Sequence, residues 1–124
     1  MGLFSGLMGN ASEVDAGEID ALLEEILAPG ENLEKAFKVI RDLFLFTNKR
    51  LILVDKQGMT GSKVEVLSIP YGKITKFSKE SAGHFDMDAE LKIWIGSDPQ
   101  PLQKNFKAGD NINEVYRILS RYAL

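Results

Sequence analysis

The sequence predicts an α+β fold in which seven antiparallel strands form a bent sheet or partly open barrel, with an amphipathic helix at each end of the chain. Two apolar runs separated by Asn48-Lys49 predict a β-hairpin. A long stretch that ends at Ile95 alternates apolar with polar residues, which predicts a strand. Apolar residues three and four positions apart predict the two helices, and the C-terminal helix would cap the open end of the barrel.

The N-terminal helix is predicted over residues 13–27. Ser12 followed by Asp15 resembles a capping box, and Pro29-Gly30 ends the helix. The apolar side of this helix covers either its own domain or a partner, and the sequence leaves both possibilities open. Its stripe consists of Ile19, Leu22, Leu23, Ile26 and Leu27.

The hairpin is the most apolar part of the chain. It follows a first strand that starts at Leu33, and its two runs are Leu43 to Phe46 and Leu51 to Val54. Neither run alternates with polar residues, so both faces of the hairpin must be covered. One cover is the domain core. The other is the N-terminal helix or a second copy of the protein.

Four further strands and a helix are predicted after the hairpin. The fourth strand spans 64–69 and changes its buried side, because Val64 shares one face with Val66 while Leu67 shares the other with Ile69. The fifth strand spans 74–79, the sixth 85–95 and the seventh 102–106, and the C-terminal helix covers 111–122. The apolar face of the sixth strand comprises Phe85, Met87, Ala89, Leu91, Ile93 and Ile95.

The length of 124 residues suits one domain, which we divide into an acidic helical arm at 1–32 and a main domain at 33–124. Residues 1–34 hold eight acids and no Lys or Arg, a local charge of −8, whereas the remaining residues carry a net +5. An acidic arm can dock on a basic body, its own or that of a neighbour. The arm also opposes binding to nucleic acid and to anionic lipid.

Few residues of this sequence are arranged as a catalytic or metal-binding site would require. His84, Asp86, Asp88 and Glu90 follow one another along a single strand face, where four side chains in a line cannot converge on one ion. We therefore expect no catalytic residues, no metal and no cofactor, with a metal-dependent enzyme using His84, Asp86 and Glu90 as an open alternative. The sequence has no cysteine, no basic segment typical of a secretion signal and no apolar run of about 18 residues, so we expect a cytoplasmic protein.

Three segments give the sequence a family resemblance: TNKRLI, SIPY and AGHFD followed by DAELK. They resemble the bacterial pleckstrin homology (PH-like) domain family, over a match from about Leu33 to the C-terminal helix. The resemblance implies a PH-like barrel of seven strands with a C-terminal helix. It also implies ring-like homo-oligomers with five-fold symmetry, and no established enzymatic activity or ligand. Eukaryotic members bind phosphoinositides through basic residues of the first hairpin loop, where this sequence has Lys38 and Arg41 beside Asp42.

The predicted function is a non-enzymatic module that self-associates into a ring, five-fold by the family resemblance, and serves as a scaffold or binds a protein or peptide. A peripheral membrane or lipid-binding domain is the alternative, motivated by the apolar residues Leu3, Phe4, Leu7 and Met8. Trp94 lies on the polar face of the sixth strand, where a large aromatic side chain suggests a contact. The interface candidates are Leu43, Phe44, Leu45, Phe46, Ile52, Val54, Trp94, Leu22 and Ile26.

Overall fold

The computed structural model describes residues 16–39, 42–57, 63–81, 88–107 and 112–124, and its order of elements confirms the predicted α+β fold. Its strands form a four-stranded sheet of order β1-β2-β3-β4 and a three-stranded sheet of order β5-β6-β7. The chain divides into two compact units, Met1–Ser68 and Ile69–Leu124. No helix in the described ranges is long and apolar enough to cross a membrane. The elements are α1 (Ala16–Ile26), β1 (Leu33–Val39), β2 (Asp42–Thr47), β3 (Arg50–Gln57), β4 (Lys63–Pro70), a 3-10 helix (Tyr71–Lys73), β5 (Ile74–Ser81), β6 (Ala89–Ile95), β7 (Leu102–Phe106) and α2 (Ile112–Ala123).

Helix α1 ends where the Pro-Gly pair predicts. The Leu27 amide donates the last helical hydrogen bond to the Leu23 carbonyl, at 2.9 Å. Gly30 then adopts a φ of +80°, in the left-handed region that glycine enters without steric cost. This turn leads the chain from α1 into β1, while the predicted start of the helix, at 13–15, lies outside the described residues.

The hairpin forms in the predicted register. Strands β2 and β3 pair antiparallel with Phe46 opposite Leu51 and Leu43 opposite Val54, which leaves Asn48-Lys49 as the two-residue turn. Every residue of the two apolar runs is at most 2% exposed. The prediction that both faces of the hairpin are covered is therefore confirmed within one chain.

Strand β4 differs from its prediction. Leu67 and Ile69 lie on the covered side, and Ile69 is 1% exposed. Val64 and Val66, on the opposite side, are 49% and 36% exposed. The predicted change of buried side is wrong, because residues 63–66 are exposed on both sides of the strand and the covered residues, Leu67 and Ile69, share one side.

The C-terminal unit is a three-stranded sheet with α2 against one face. Phe77 of β5 meets Tyr116 of α2 edge to face, with ring centroids 5.2 Å apart. Tyr71 stacks on Tyr122 of α2, with ring centroids 4.7 Å apart. Residues 82–87 lie outside the described ranges, and β6 is described only from Ala89, so the predicted start of this strand is not tested there.

Candidate functional site

Eight of the nine predicted interface residues lie in the N-terminal unit, Met1–Ser68. The six from the hairpin are buried, and the two from α1 are half-buried. Because strand side chains alternate, the hairpin residues divide between two faces. One face carries Leu43, Leu45, Ile52 and Val54, and the other carries Phe44 and Phe46.

Helix α1 covers the first of these faces. Its Ile19 and Leu23 are 4% and 3% exposed and form one apolar cluster with the hairpin residues, including Leu45 and Ile52. Leu22, Ile26 and Leu27 pack against the edge of this cluster. The alternative that the sequence left open is thus decided: the chain's own helix supplies the cover. A role for these residues between copies stays a prediction, and it would require α1 to leave this face.

An ion pair between the partly buried Arg50 and the buried Glu31 joins the end of α1 to the hairpin. Arg50, the first residue of β3, donates from Nε to Glu31 Oε2 at 2.8 Å and from Nη2 to Glu31 Oε1 at 2.9 Å. The same guanidinium donates to the carbonyl of Ile26, at 2.7 Å, and to Ser68 Oγ of β4, also at 2.7 Å. One side chain therefore connects the last turn of α1, the loop after it and two strands.

Each carboxylate oxygen of Glu31 accepts two hydrogen bonds. Its oxygens also accept hydrogen bonds from Thr47 Oγ1 at 2.6 Å and from the Ala28 amide at 2.9 Å, and its side chain is 0% exposed. The hydrogen bond from Arg50 is the largest cause that lowers the Glu31 pKa to about 2, with the Ala28 and Thr47 bonds acting in the same direction and burial opposing them. A carboxylate that stays ionised and has every lone pair occupied fits a structural role rather than that of a general base.

The hairpin turn binds the same loop. Asn48 Oδ1 accepts a hydrogen bond from the Asn32 amide at 2.7 Å, and Asn48 Nδ2 donates to the Gly30 carbonyl at 3.2 Å. Sequence reasoning located the turn at Asn48-Lys49 but missed Glu31 as the partner of Thr47 and Arg50. Glu31 lies 19 residues before Arg50, and no local pattern links positions so far apart.

Trp94, the ninth interface candidate, lies in the C-terminal unit on the face of the sheet opposite α2. It is half-buried, and Lys76 Nζ lies 4.6 Å from its ring centroid. Such a cation-π contact accounts for an aromatic side chain among charges. On the same face Lys92 lies 3.9 Å from Glu80 and 3.8 Å from Glu90.

The predicted acidic line of β6 is only partly within the described residues, since His84 and Asp86 lie outside them. Within the described part of the chain, no group of three or more His, Cys, Asp or Glu side chains is placed to hold a metal ion. Asp88 and Glu90 do border an open depression of about 290 Å³. Its lining residues are Glu80, Ser81, Asp88, Ala89, Glu90 and Asn105.

Charged side chains line the outward sides of both helices. On α1, Glu24 and Glu25 are exposed, and on α2, Arg117 and Arg121 are exposed. The ion pairs found among the described residues involve Arg50 with Glu31 and Lys92 with Glu80 and Glu90. Glu24, Glu25, Arg117 and Arg121 take part in none of these pairs.

Comparison with known proteins identifies the fold family. The family model described as "Bacterial PH domain" matches residues 2–123. The uncharacterized protein YjqA of Bacillus subtilis (strain 168) is 50% identical over 121 residues, which cover 97% of each chain. The crystal structure of a pleckstrin homology domain from Shewanella amazonensis SB2B has a TM-score of 0.82 and 54% identity, and the match covers 94% of each chain.

A second crystal structure supports the same assignment. It is that of a DUF1696 family protein with a pleckstrin-homology domain from Shewanella loihica PV-4, with a TM-score of 0.75 and 49% identity over 94% of this chain and 99% of that one. The family match spans nearly the whole sequence, and the two crystal structures are similar to this fold at 54% and 49% identity. The chain belongs to the bacterial PH domain family.

Proposed function

We propose that this chain is a non-enzymatic, cytoplasmic PH-like module that self-associates into a five-fold ring and acts as a scaffold or as a protein- or peptide-binding module. The observation that carries the proposal is the separation of charge along the chain. Residues 1–34 carry −8 and the remainder +5. Because α1 is packed by its apolar side, its Glu24 and Glu25 face outward.

Opposite charges on different surfaces of one molecule favour a head-to-tail contact between copies. Such a contact uses two different patches on each copy, and it generates a closed ring when the rotation between copies closes. Complementary charges also raise the rate of association and select the correct orientation. The hairpin is not needed for this contact, since α1 already covers one of its faces.

Strand β4 supports the second part of the proposal, the binding of a protein or peptide. It is the last strand of its sheet, and its residues from Lys63 to Val66 are all exposed. An edge strand offers backbone hydrogen bonds to an added extended segment, and the exposed Val64 and Val66 offer apolar contacts to alternate side chains of that segment.

The native mass tests the self-association. We expect light scattering on the eluting protein to give a multiple of the chain mass of 13.8 kDa at micromolar concentration and low salt. In about 1 M salt, where charges are screened beyond about 3 Å, the mass should decrease. A monomer under both conditions would refute the ring.

The lipid-binding alternative has a separate test. The net +5 of residues 35–124 favours an anionic surface, whereas the acidic arm opposes it. Sedimentation with vesicles of anionic phospholipid at low salt, but not with neutral vesicles, would support this alternative. Protein that stays in the supernatant with both kinds of vesicle would remove it.

A further inference from the structure

We infer that the outward face of α1 in one copy binds the outward face of α2 in the next copy, through Glu24 and Glu25 on the first helix and Arg117 and Arg121 on the second. The inference rests on the proposed self-association and names its two contact surfaces. Neither surface takes part in the apolar packing of its own unit, so both can meet a second copy without rearrangement of either core.

The acidic face lies on the side of α1 turned away from the hairpin. Ile19 and Leu23 are buried in the apolar cluster, whereas Glu24 and Glu25 are exposed. Ala21, also exposed, lies one helical turn before these acids. Small side chains on a helix surface allow the backbone of another element to approach closely, so the carboxylates are accessible to a second helix.

The basic face lies on α2. Val115 and Leu119 are the buried residues of this helix, and Asn113, Arg117 and Arg121 are exposed at intervals of four residues. Residues four apart lie one above the other, about 5–6 Å between Cβ atoms. Two guanidinium groups therefore point to the same side, and arginine binds carboxylates through two parallel hydrogen bonds.

Other exposed basic residues of the C-terminal unit form a less suitable partner. Lys76 and Lys79 lie on opposite faces of the sheet, since Lys76 lies over Trp94 and Lys79 lies 5.9 Å from the Tyr116 ring on the α2 side. Each ammonium group is thus already placed against an aromatic ring of its own chain. Arg117 and Arg121 have no such contact among the described residues, and they share one face.

The two helices also match in size. Helix α1 has 11 residues and α2 has 12. At about 1.5 Å per residue, each is about 16–18 Å long. The two charged residues of each helix lie within about 6 Å of one another along the helix axis, so a single crossing can bring all four together. Because the acidic and basic faces are different surfaces of the same chain, the contact repeats from copy to copy and matches the head-to-tail geometry of a ring.

Charge reversal tests the pairing. The variant Arg117→Glu/Arg121→Glu and the variant Glu24→Arg/Glu25→Arg each place like charges opposite one another. We expect each to raise the concentration at which the assembly dissociates by at least about tenfold, since like-charge contacts cost several kcal/mol. The fourfold variant that combines both reversals restores opposite charges and should regain the native mass.

The matched control is Lys49→Glu/Lys73→Glu, which reverses two exposed positive charges outside α1 and α2 and should leave the mass unchanged. Circular dichroism checks that each variant is folded; if the Arg117→Glu/Arg121→Glu protein does not fold, Arg117→Gln/Arg121→Gln replaces it and should also weaken the assembly. A wild-type multimer whose mass survives either reversal would overturn the helix contact but not the ring. A fourfold variant that stays dissociated while folded would also overturn it. A monomeric wild type would overturn the proposed function itself.

Discussion

Arg50 binds Glu31 through two parallel hydrogen bonds, of 2.8 and 2.9 Å, although the two residues are 19 positions apart in the sequence. The guanidinium also donates hydrogen bonds to two uncharged groups, the Ile26 carbonyl and the Ser68 hydroxyl. The pair thereby joins the end of α1 to β3 and β4, and it holds the helix over the apolar face of the hairpin.

Removing Arg50 should destabilise the fold. In Arg50→Met the buried Glu31 carboxylate loses its counter-ion, and we expect the free energy of unfolding to fall by about 3–5 kcal/mol. Urea titration followed by circular dichroism measures this change. The double variant Glu31→Leu/Arg50→Met should be more stable than Arg50→Met, because it leaves no buried charge. Lys49→Met, in the exposed turn, is the control and should change stability by less than about 0.5 kcal/mol. Equal stability of Arg50→Met and Lys49→Met would contradict the role of the pair.

Acid should weaken the fold through Glu31. Its pKa is lowered from 4.5 to about 2, so its folded state binds a proton less readily than its unfolded state. The stabilisation is therefore complete above pH 4.5 and is lost as the pH falls from 4.5 to 2. The urea midpoint of the wild type should decrease over this range more steeply than that of Glu31→Gln. Parallel pH profiles of the two proteins would show that another group controls the acid response.

Truncating a side chain on the covered face of the hairpin should destabilise the protein as truncation of a core residue does. Leu45 is 0% exposed beneath α1, and Leu45→Ala should lower the free energy of unfolding by about 2–5 kcal/mol. Val66, 36% exposed on β4, is the control, and Val66→Ala should change stability by less than about 0.5 kcal/mol. Light scattering on folded Leu45→Ala should give the wild-type mass. A folded monomer would instead place Leu45 at a contact between copies.

Substitution of Gly30 should destabilise the protein because of its backbone conformation alone. A Cβ atom added at Gly30 or at Gly72 meets no atom within 4 Å, but only Gly30 has a positive φ, of +80°. Gly30→Ala should therefore cost about 1–2 kcal/mol, the penalty of a left-handed conformation for an L-residue. Gly72→Ala should be neutral or slightly stabilising. Thermal unfolding of both variants checks the difference, and equal melting temperatures would contradict it.

Local patterns were sufficient to predict most of the elements. The Asn48-Lys49 turn set the register of β2 with β3, and Pro29-Gly30 predicted the end of α1. The expectation for β4 failed because alternation shows that two sets of side chains face opposite ways but not which set is covered. Val64 and Val66 are as apolar as Leu67 and Ile69, and only the position of β4 in the sheet leaves them exposed.

The two charged helix surfaces, on α1 and α2, could be identified only from the tertiary structure. Composition along the chain showed an acidic arm and a basic body, yet it could not show that Glu24 and Glu25 point outward or that Arg117 and Arg121 share one exposed line. Lys73, Lys76 and Lys79 are equally basic in sequence. Their placement on different faces, with rings of Trp94 and Tyr116 beneath two of them, separates them from the arginines of α2.

The amino-acid sequence by itself determined the α+β class, the number of strands, the apolar hairpin and the family, because periodicity, turn residues and characteristic segments are local properties of the chain. Only the tertiary structure decided that α1, rather than a second copy, covers Leu43 and Leu45, and that Glu31 neutralises Arg50. Both outcomes depend on which distant segments meet in space. These contacts determine the stability of the fold, because an apolar face is stabilised when it is removed from water and a buried charge needs a partner of opposite charge.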